Sequence, residues 1–578
     1  MLTKATNRMI DGASASVLDY GAIGDGTTDD TTAVQAAVNS GALEVFFPDG
    51  TYLINAVALP SNIRLFGAAT VKGKLGTSVP GGDDFSKKLF TASGKTNIVF
   101  DGLIFDGGIV GDIAGVEFVA TDPDSLESLL EISSCTNLKI KGCKFNNFAG
   151  QGTSSGTRNQ KAKKGVVYIL GCTNVEIFEC NLGNNIFIEG FIILDSNDVT
   201  VRNNYTLQDD DNKRISTPVV ITGATTSNVL VMDNIFIGHG GSGVNIWALK
   251  NTKIIGNSFV SGRGVDFSNE GGYAVTESPT NVMICNNTVD LTGQSTYPST
   301  SNYYGIVVLG DATYPVQGVL VSGNNVLSAK AAIFIDRCND VRAEANRVIN
   351  PHGTSAGQGL GISCTDSSNV QIQNNFVDGT ATVEFGGGVS CIYTQDSEDV
   401  LIKNNVMNNA DSYLLYINEG NNRVIVQENT FSGTATRNIF GSADGDESLI
   451  IRNNEFPILT TPDNRVNFNI AFTSEHYFLF ENDSIVEIAD DDVFIFPTPS
   501  ANSFLETGSN SANIGSFFYK NGSTLNSIYA ASNVNPTTGV LTGTTGTDGK
   551  VNISAVSDTI YVENRLGSST FVRIKIKS

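Results

Sequence analysis

Three aspartates, Asp336, Asp366 and Asp396, recur at intervals of 30 residues, each just ahead of a hydrophobic segment of the same pattern. Paired carboxyl groups are what glycoside hydrolysis requires: one protonates the leaving oxygen, and the other activates water or attacks the sugar. If the three stand on successive turns of a coil, neighbouring backbones lie about 4.8 Å apart, close to the roughly 5 Å carboxyl separation of a retaining pair. Every second turn gives roughly 9.6 Å, the top of the inverting range. Stacked carboxylates also repel, which raises the pKa of one and keeps it protonated as the acid. Asp336 and Asp366 are therefore the expected catalytic pair, with Asp396 or Glu384 as replacement partner. The same pre-motif position carries Asp195, Glu277, Asp311 and Glu419, and an aspartate there also serves simply to cap a turn.

The segments 260–279 and 289–316 are the longest mid-chain insertions and are rich in groups suited to sugars. Sugar rings have apolar faces that pack on aromatic rings, and arginine binds carboxylate sugars. The expected substrate-binding residues are Trp247, Arg263, Asp266, Glu270, Tyr273, Glu277, Tyr303, Tyr304, Asp311 and Tyr393. Only three histidines are present and no C-x-x-C pair exists. A histidine-based triad has few candidates, and neither a metal nor a cofactor is expected.

What must position these groups is a repeat. The form N/D-V-x-I-x-x-N plus an apolar residue occurs twelve times, beginning at Asn137, Asn174, Asp198, Asn228, Asn251, Asn281, Gly318, Asp340, Asn369, Asp399, Arg423 and Ser448. Copies are 22 to 25 residues apart at their closest and 30 or 37 apart where a loop is inserted. A period in the twenties marks a solenoid, and alternation with period two inside each copy marks strands. The expected fold is all-β: a right-handed parallel β-helix of about twelve rungs. The Asn closing most copies, from Asn204 to Asn454, is expected to stack into a hydrogen-bonded ladder. Cys135 and Cys172 are 37 apart, as are Cys143 and Cys180, which fits stacking in successive turns of free, buried thiols.

A solenoid needs capped ends. The segment VLDYGAIGDGTTDDTTAVQAAVNSG predicts a helix beginning near Thr28 or Asp29, with Ala33, Val34, Ala36, Ala37 and Val38 on its apolar side and Gly41 as its stop. This segment, with Pro48, Gly50 and Tyr52 after it, resembles the entry motif of pectate-lyase-like β-helix proteins and of phage tailspikes. The resemblance implies the fold and a polysaccharide substrate, but not a reaction, because lyases, hydrolases and esterases share the scaffold. It also implies a parallel homotrimer. Residues 1–16 are similar to a short virion-attachment leader, 17–110 hold the cap and first strands, 111–457 the catalytic β-helix, 458–490 a connector, and 491–578 a β-sandwich for trimerisation or sugar binding.

Net charge is −23. Such a chain will not bind nucleic acid through general electrostatic attraction, and it should avoid anionic membrane surfaces. No secretion signal or membrane span is visible, so manufacture in a host cytoplasm is expected. The combined expectation is a virion tail protein that binds and cuts a capsule or O-antigen by endo-hydrolysis. The alternatives are a polysaccharide lyase on the same scaffold and an adhesin without activity.

Overall fold

The computed structural model describes residues 14–77, 84–86, 88–108, 128–148, 165–183, 186, 189–207, 217–238, 241–260, 263–268, 277–292, 304–327, 331–351, 359–379, 389–410, 412–418, 420–433 and 437–441, and, from 449 onward, 534–542, 546–556 and a series of separate strands with Asn454. The chain forms two compact units: residues 1–296 with 306–317, and residues 297–305 with 318–578.

All twelve copies of the motif form strands. In the first unit the strands Thr136–Lys141, Thr173–Phe178, Asn197–Arg202, Ser227–Met232, Lys250–Ile255 and Thr280–Cys285 pair in parallel without a slip, so that Leu138, Val175, Val199, Val229, Thr252 and Val282 make one column. A shorter strand follows each, and another precedes it; these too pair with their counterparts on the next turn. The result is the right-handed parallel β-helix expected, with three parallel sheets around a core of alternate apolar residues such as Ile140, Ile177, Val201 and Val231. The rungs begin earlier than the motif does: Thr96–Asp101 pairs with Thr136–Lys141 on one side and with Ile63–Phe66 on the other.

Each motif residue has a separate task. The first residue, at the surface, adopts the left-handed conformation, for example half-buried Asn137 (φ 58°) and exposed Asn174 (φ 57°), and where it is Asn it donates its amide along the column, Asn174 to Asn137 at 2.7 Å and Asn137 to Asn97 at 2.8 Å. The closing Asn is buried. Asn234 Nδ2 donates to Asn257 Oδ1 (2.9 Å), and Asn257 Nδ2 donates to Asn287 Oδ1 (2.9 Å); the same run joins Asn346, Asn375, Asn405 and Asn429 in the second unit. The tight corner itself falls one residue earlier, at Asn203, Asp233, Asn286, Asn374 and Asn404, all with positive φ. Turning and bridging are thus divided between two neighbours. The cysteines stack likewise: Cys172 Sγ accepts the Cys135 N–H (3.2 Å) in a column continued by Ser196, and Cys180 heads the closing-Asn column, donating its N–H to Asn204 Oδ1 (2.9 Å).

The cap helix spans Thr31–Val38 and buries Val34, Ala37 and Val38. It starts later than expected because Asp25–Asp29 is a strand. Asp29 Oδ1 accepts the Thr31 N–H (3.1 Å), while Asp30 turns its carboxylate onto the N–H groups of Ile23 (2.7 Å) and Gly24 (3.0 Å). Toward the C-terminus pairing becomes antiparallel. Ser503–Gly508 lies between Ile514–Lys520 and Thr570–Lys577, and Thr559–Arg565 between Asp492–Pro497 and Lys550–Val556. The expected leader, residues 1–13 in particular, lies outside the described residues.

Candidate functional site

In the second unit four successive strands carry the site: Ala331–Asp336, Gly359–Thr365, Val389–Gln395 and Tyr413–Ile417. Their inward positions, such as Ile333, Ile362, Ile392 and Leu415, fill the core. The intervening positions make two outward columns. Phe334, Ser363, Tyr393 and Tyr416 stand in one register; Asp336, Thr365 and Gln395 stand in the next. Beyond the strand ends come Arg337, Asp366 and Asp396, with φ of 53°, 46° and 47°. Aspartate tolerates this left-handed corner because its short side chain can bond locally.

The three aspartates therefore do not form one column, contrary to the reading from their equal spacing. Asp336 is in register with Thr365, a step of 29 residues rather than 30. It ends its strand, whereas Asp366 and Asp396 occupy the corner. The offset still leaves Asp336 close enough to Asp366 for its charge to raise the Asp366 pKa. Asp336 is nearly buried, with its side chain 10% exposed. Arg337 donates Nε and Nη2 to Asp336 Oδ2, both at 2.7 Å, and Thr365 Oγ1 donates to Oδ1 at 2.6 Å. Both oxygens thus accept bonds, and the carboxyl group is held in one orientation. Asp366 is exposed yet its pKa is raised, first by desolvation and then by the negative charges of Asp336 and Asp396, with Arg337 opposing. On the following rung a side chain at Gly420 would collide with the Asp396 carboxylate.

Aromatic rings border the acids. Tyr304 stacks on Phe334, ring centres 5.4 Å apart and 23° from parallel. Tyr393 meets Tyr416 edge-on at 5.1 Å, and Tyr416 meets Tyr413 at 5.0 Å. The Tyr393 hydroxyl bonds to Gln395 and accepts from Asn418 Nδ2 (2.9 Å). Phe334 and Tyr416 were not expected from the sequence. The signal was present: both alternate with inward residues on strands directly ahead of a motif.

The other expected residues scatter. Trp247 is a correction: it is 1% exposed and packs on Phe267 at 5.6 Å, so it fills the core of the first unit and offers no surface to a polymer. Asp266 is 7% exposed and accepts from Ser242 Oγ (3.4 Å), with Arg263 three residues earlier on the same strand. Glu277 is exposed, 4.0 Å from Lys250 Nζ. Asp311 caps its own turn, accepting the N–H groups of Thr313 (2.8 Å) and Tyr314 (3.3 Å). Glu270, Tyr273, Tyr303, Glu384 and Glu419 lie outside the described residues.

Comparison with known proteins agrees with this architecture. Residues 14–210 match the family "Rhamnogalacturonase A/epimerase, pectate lyase-like", and residues 280–457 match "Right handed beta helix region". Over 129 residues the chain is 34% identical to the pre-neck appendage protein of Bacillus phage phi29, a stretch covering 22% of this chain and only 15% of that protein. It is 21% identical over 486 residues to plasmin and fibronectin-binding protein A of Streptococcus pneumoniae, covering 77% of this chain and 62% of that one. Among solved structures, that of the pre-mature bacteriophage phi29 gene product 12 aligns with 89% of this chain and 82% of that chain, at 14% identity and a TM-score of 0.48.

Proposed function

We propose that this chain is a phage tailspike that binds a bacterial surface polysaccharide, capsule or O-antigen, and cuts it by endo-hydrolysis. The observation that carries the reading is the unequal pair: Asp336, gripped by Arg337 and Thr365, beside Asp366, whose raised pKa helps it to keep a proton. Asp366 donates that proton to the leaving glycosidic oxygen. Asp336, oriented by Arg337 and Thr365, supplies the base or nucleophile. Asp396 supports the acid by adding negative charge beside it. Phe334, Tyr304, Tyr393 and Tyr416 supply ring faces and hydroxyls on which sugar units rest. Similarity to phage appendage proteins over part of the chain supports a place on the virion tail. Homotrimer assembly and attachment through the N-terminus complete the proposal.

Similarity over three quarters of the chain to a plasmin- and fibronectin-binding protein favours a second reading, an adhesin that binds without cutting. One experiment separates them. The full chain is incubated with purified capsular and O-antigen polysaccharides, and fragments are weighed by mass spectrometry. Hydrolysis adds one water per cut, elimination leaves the summed mass unchanged and creates an unsaturated uronate, and an adhesin leaves the polymer whole. Asp336→Asn and Asp366→Asn should each abolish cutting while the protein stays folded. Full activity in both would remove the assignment.

A further inference from the structure

The first unit carries a groove that none of this chemistry uses. Strands Phe90–Ser93, Leu130–Ser133 and Val167–Leu170 lie side by side, with Thr91, Glu131 and Tyr168 in one register and Ser93 and Ser133 in another. These outward residues, with Leu59 and Lys95 at the edges, bound a cavity of about 470 Å³, within the roughly 300–1,000 Å³ of small-ligand sites. Leu59, Ala92 and Ile132 also border it, but they are buried in the core. Its polar groups are three hydroxyls, one carboxylate, one ammonium and one tyrosine.

The carboxylate is fixed in direction. Glu131 Oε1 accepts the Ser128 N–H (3.1 Å), and Oε2 lies 3.8 Å from Lys88 Nζ. The Lys95 backbone is fixed too, by the left-handed corner at Gly94 (φ 64°) and by donation of its N–H to Cys135 Sγ (3.4 Å). Hydroxyls, a charge of each sign and an aromatic ring match a pyranose, whose apolar faces pack on a ring and whose rim carries hydroxyls. Among the described residues the lining holds a single carboxyl group, committed to Lys88 and Ser128, and no acid–base pair of the kind hydrolysis needs.

We propose that this groove is a second saccharide site, which grips one sugar unit of a polymer without cutting it. It is independent of the acidic corner in the second unit. The test is saturation-transfer NMR on the full chain with glucose, galactose, N-acetylglucosamine and glucuronate as separate probes. Transfer to at least one sugar is expected. Tyr168→Ala and the near-isosteric Glu131→Gln should each weaken that binding about fivefold, the scale of losing one ring contact or one charged hydrogen bond. The signal should survive in an Asp336→Asn, Asp366→Asn double variant. Absence of transfer from all four sugars, equal transfer in the Tyr168 and Glu131 variants, or loss only in the aspartate variant would each overturn the proposal.

Discussion

At the scale of residues, the acidic corner gains its chemistry from a mismatch of register. Had Asp336 stacked directly on Asp366, both would share one environment. Instead one carboxylate takes three donor contacts from Arg337 and Thr365, while the other stands at a corner facing two negative charges. The pH dependence follows in sign. Asp366 must be protonated to act as acid, so kcat/KM should fall as pH rises through its raised pKa. Arg337→Ala removes the cation that opposes this rise. It should move the alkaline limb of the pH profile to higher pH and lower the maximum by roughly 10²-fold, the lower end of what positioned acid–base groups contribute. An unshifted limb would argue that Arg337 is a spectator. Trp247 makes the opposite case. Trp247→Ala should cost about 4 kcal/mol of stability by opening a cavity, read by denaturant melting, whereas glycan affinity measured on the folded fraction should not change.

At the scale of elements, the rung is held by two ladders of different worth. The Asn257 side chain donates to Val231 O (3.0 Å) and Asn287 Oδ1 (2.9 Å), and its oxygen accepts both the backbone N–H (3.0 Å) and the amide (2.9 Å) of Asn234. Asn257→Ala strands buried partners on the neighbouring turns, and about 3 kcal/mol should be lost. Asn251, whose amide donates to Asn228 Oδ1 (2.9 Å), is exposed, so water replaces the bond that Asn251→Ala removes, and the loss should be only about 1 kcal/mol, most of it from alanine at a left-handed φ of 57°. Urea titration of the two variants checks the ordering. Equal losses would mean that burial does not set the strength of these bonds.

At the scale of the whole molecule, the dominant property is charge. A chain of net charge −23 repels an anionic capsule until salt screens the field, and the Debye length falls from about 30 Å at 0.01 M to about 8 Å at 0.15 M. Affinity for an acidic polysaccharide should therefore rise with salt over that range, and affinity for a neutral one should not. A fall with salt would mean that a local basic patch governs capture. Light scattering checks the proposed assembly: a homotrimer of the full chain weighs about three times 61.2 kDa.

The solenoid was legible in the sequence because its rule is local and repeated. Alternate apolar residues, a left-handed corner and a closing Asn recur in every turn, so twelve weak signals add to one strong one. The parallel β-helix, the buried Asn ladder and the stacked cysteines all follow from that. The exact pairing across rungs did not, because loop length alone does not say where along a turn an extra residue is placed. Only the folded chain decided that Asp336 meets Thr365 rather than Asp366, that Trp247 points inward, and that Phe334 and Tyr416 flank the acids. A side chain's face depends on single-residue register, and a change of one residue reverses it. Composition and period contain the coil; which groups share a surface is settled by how neighbouring turns lie against each other.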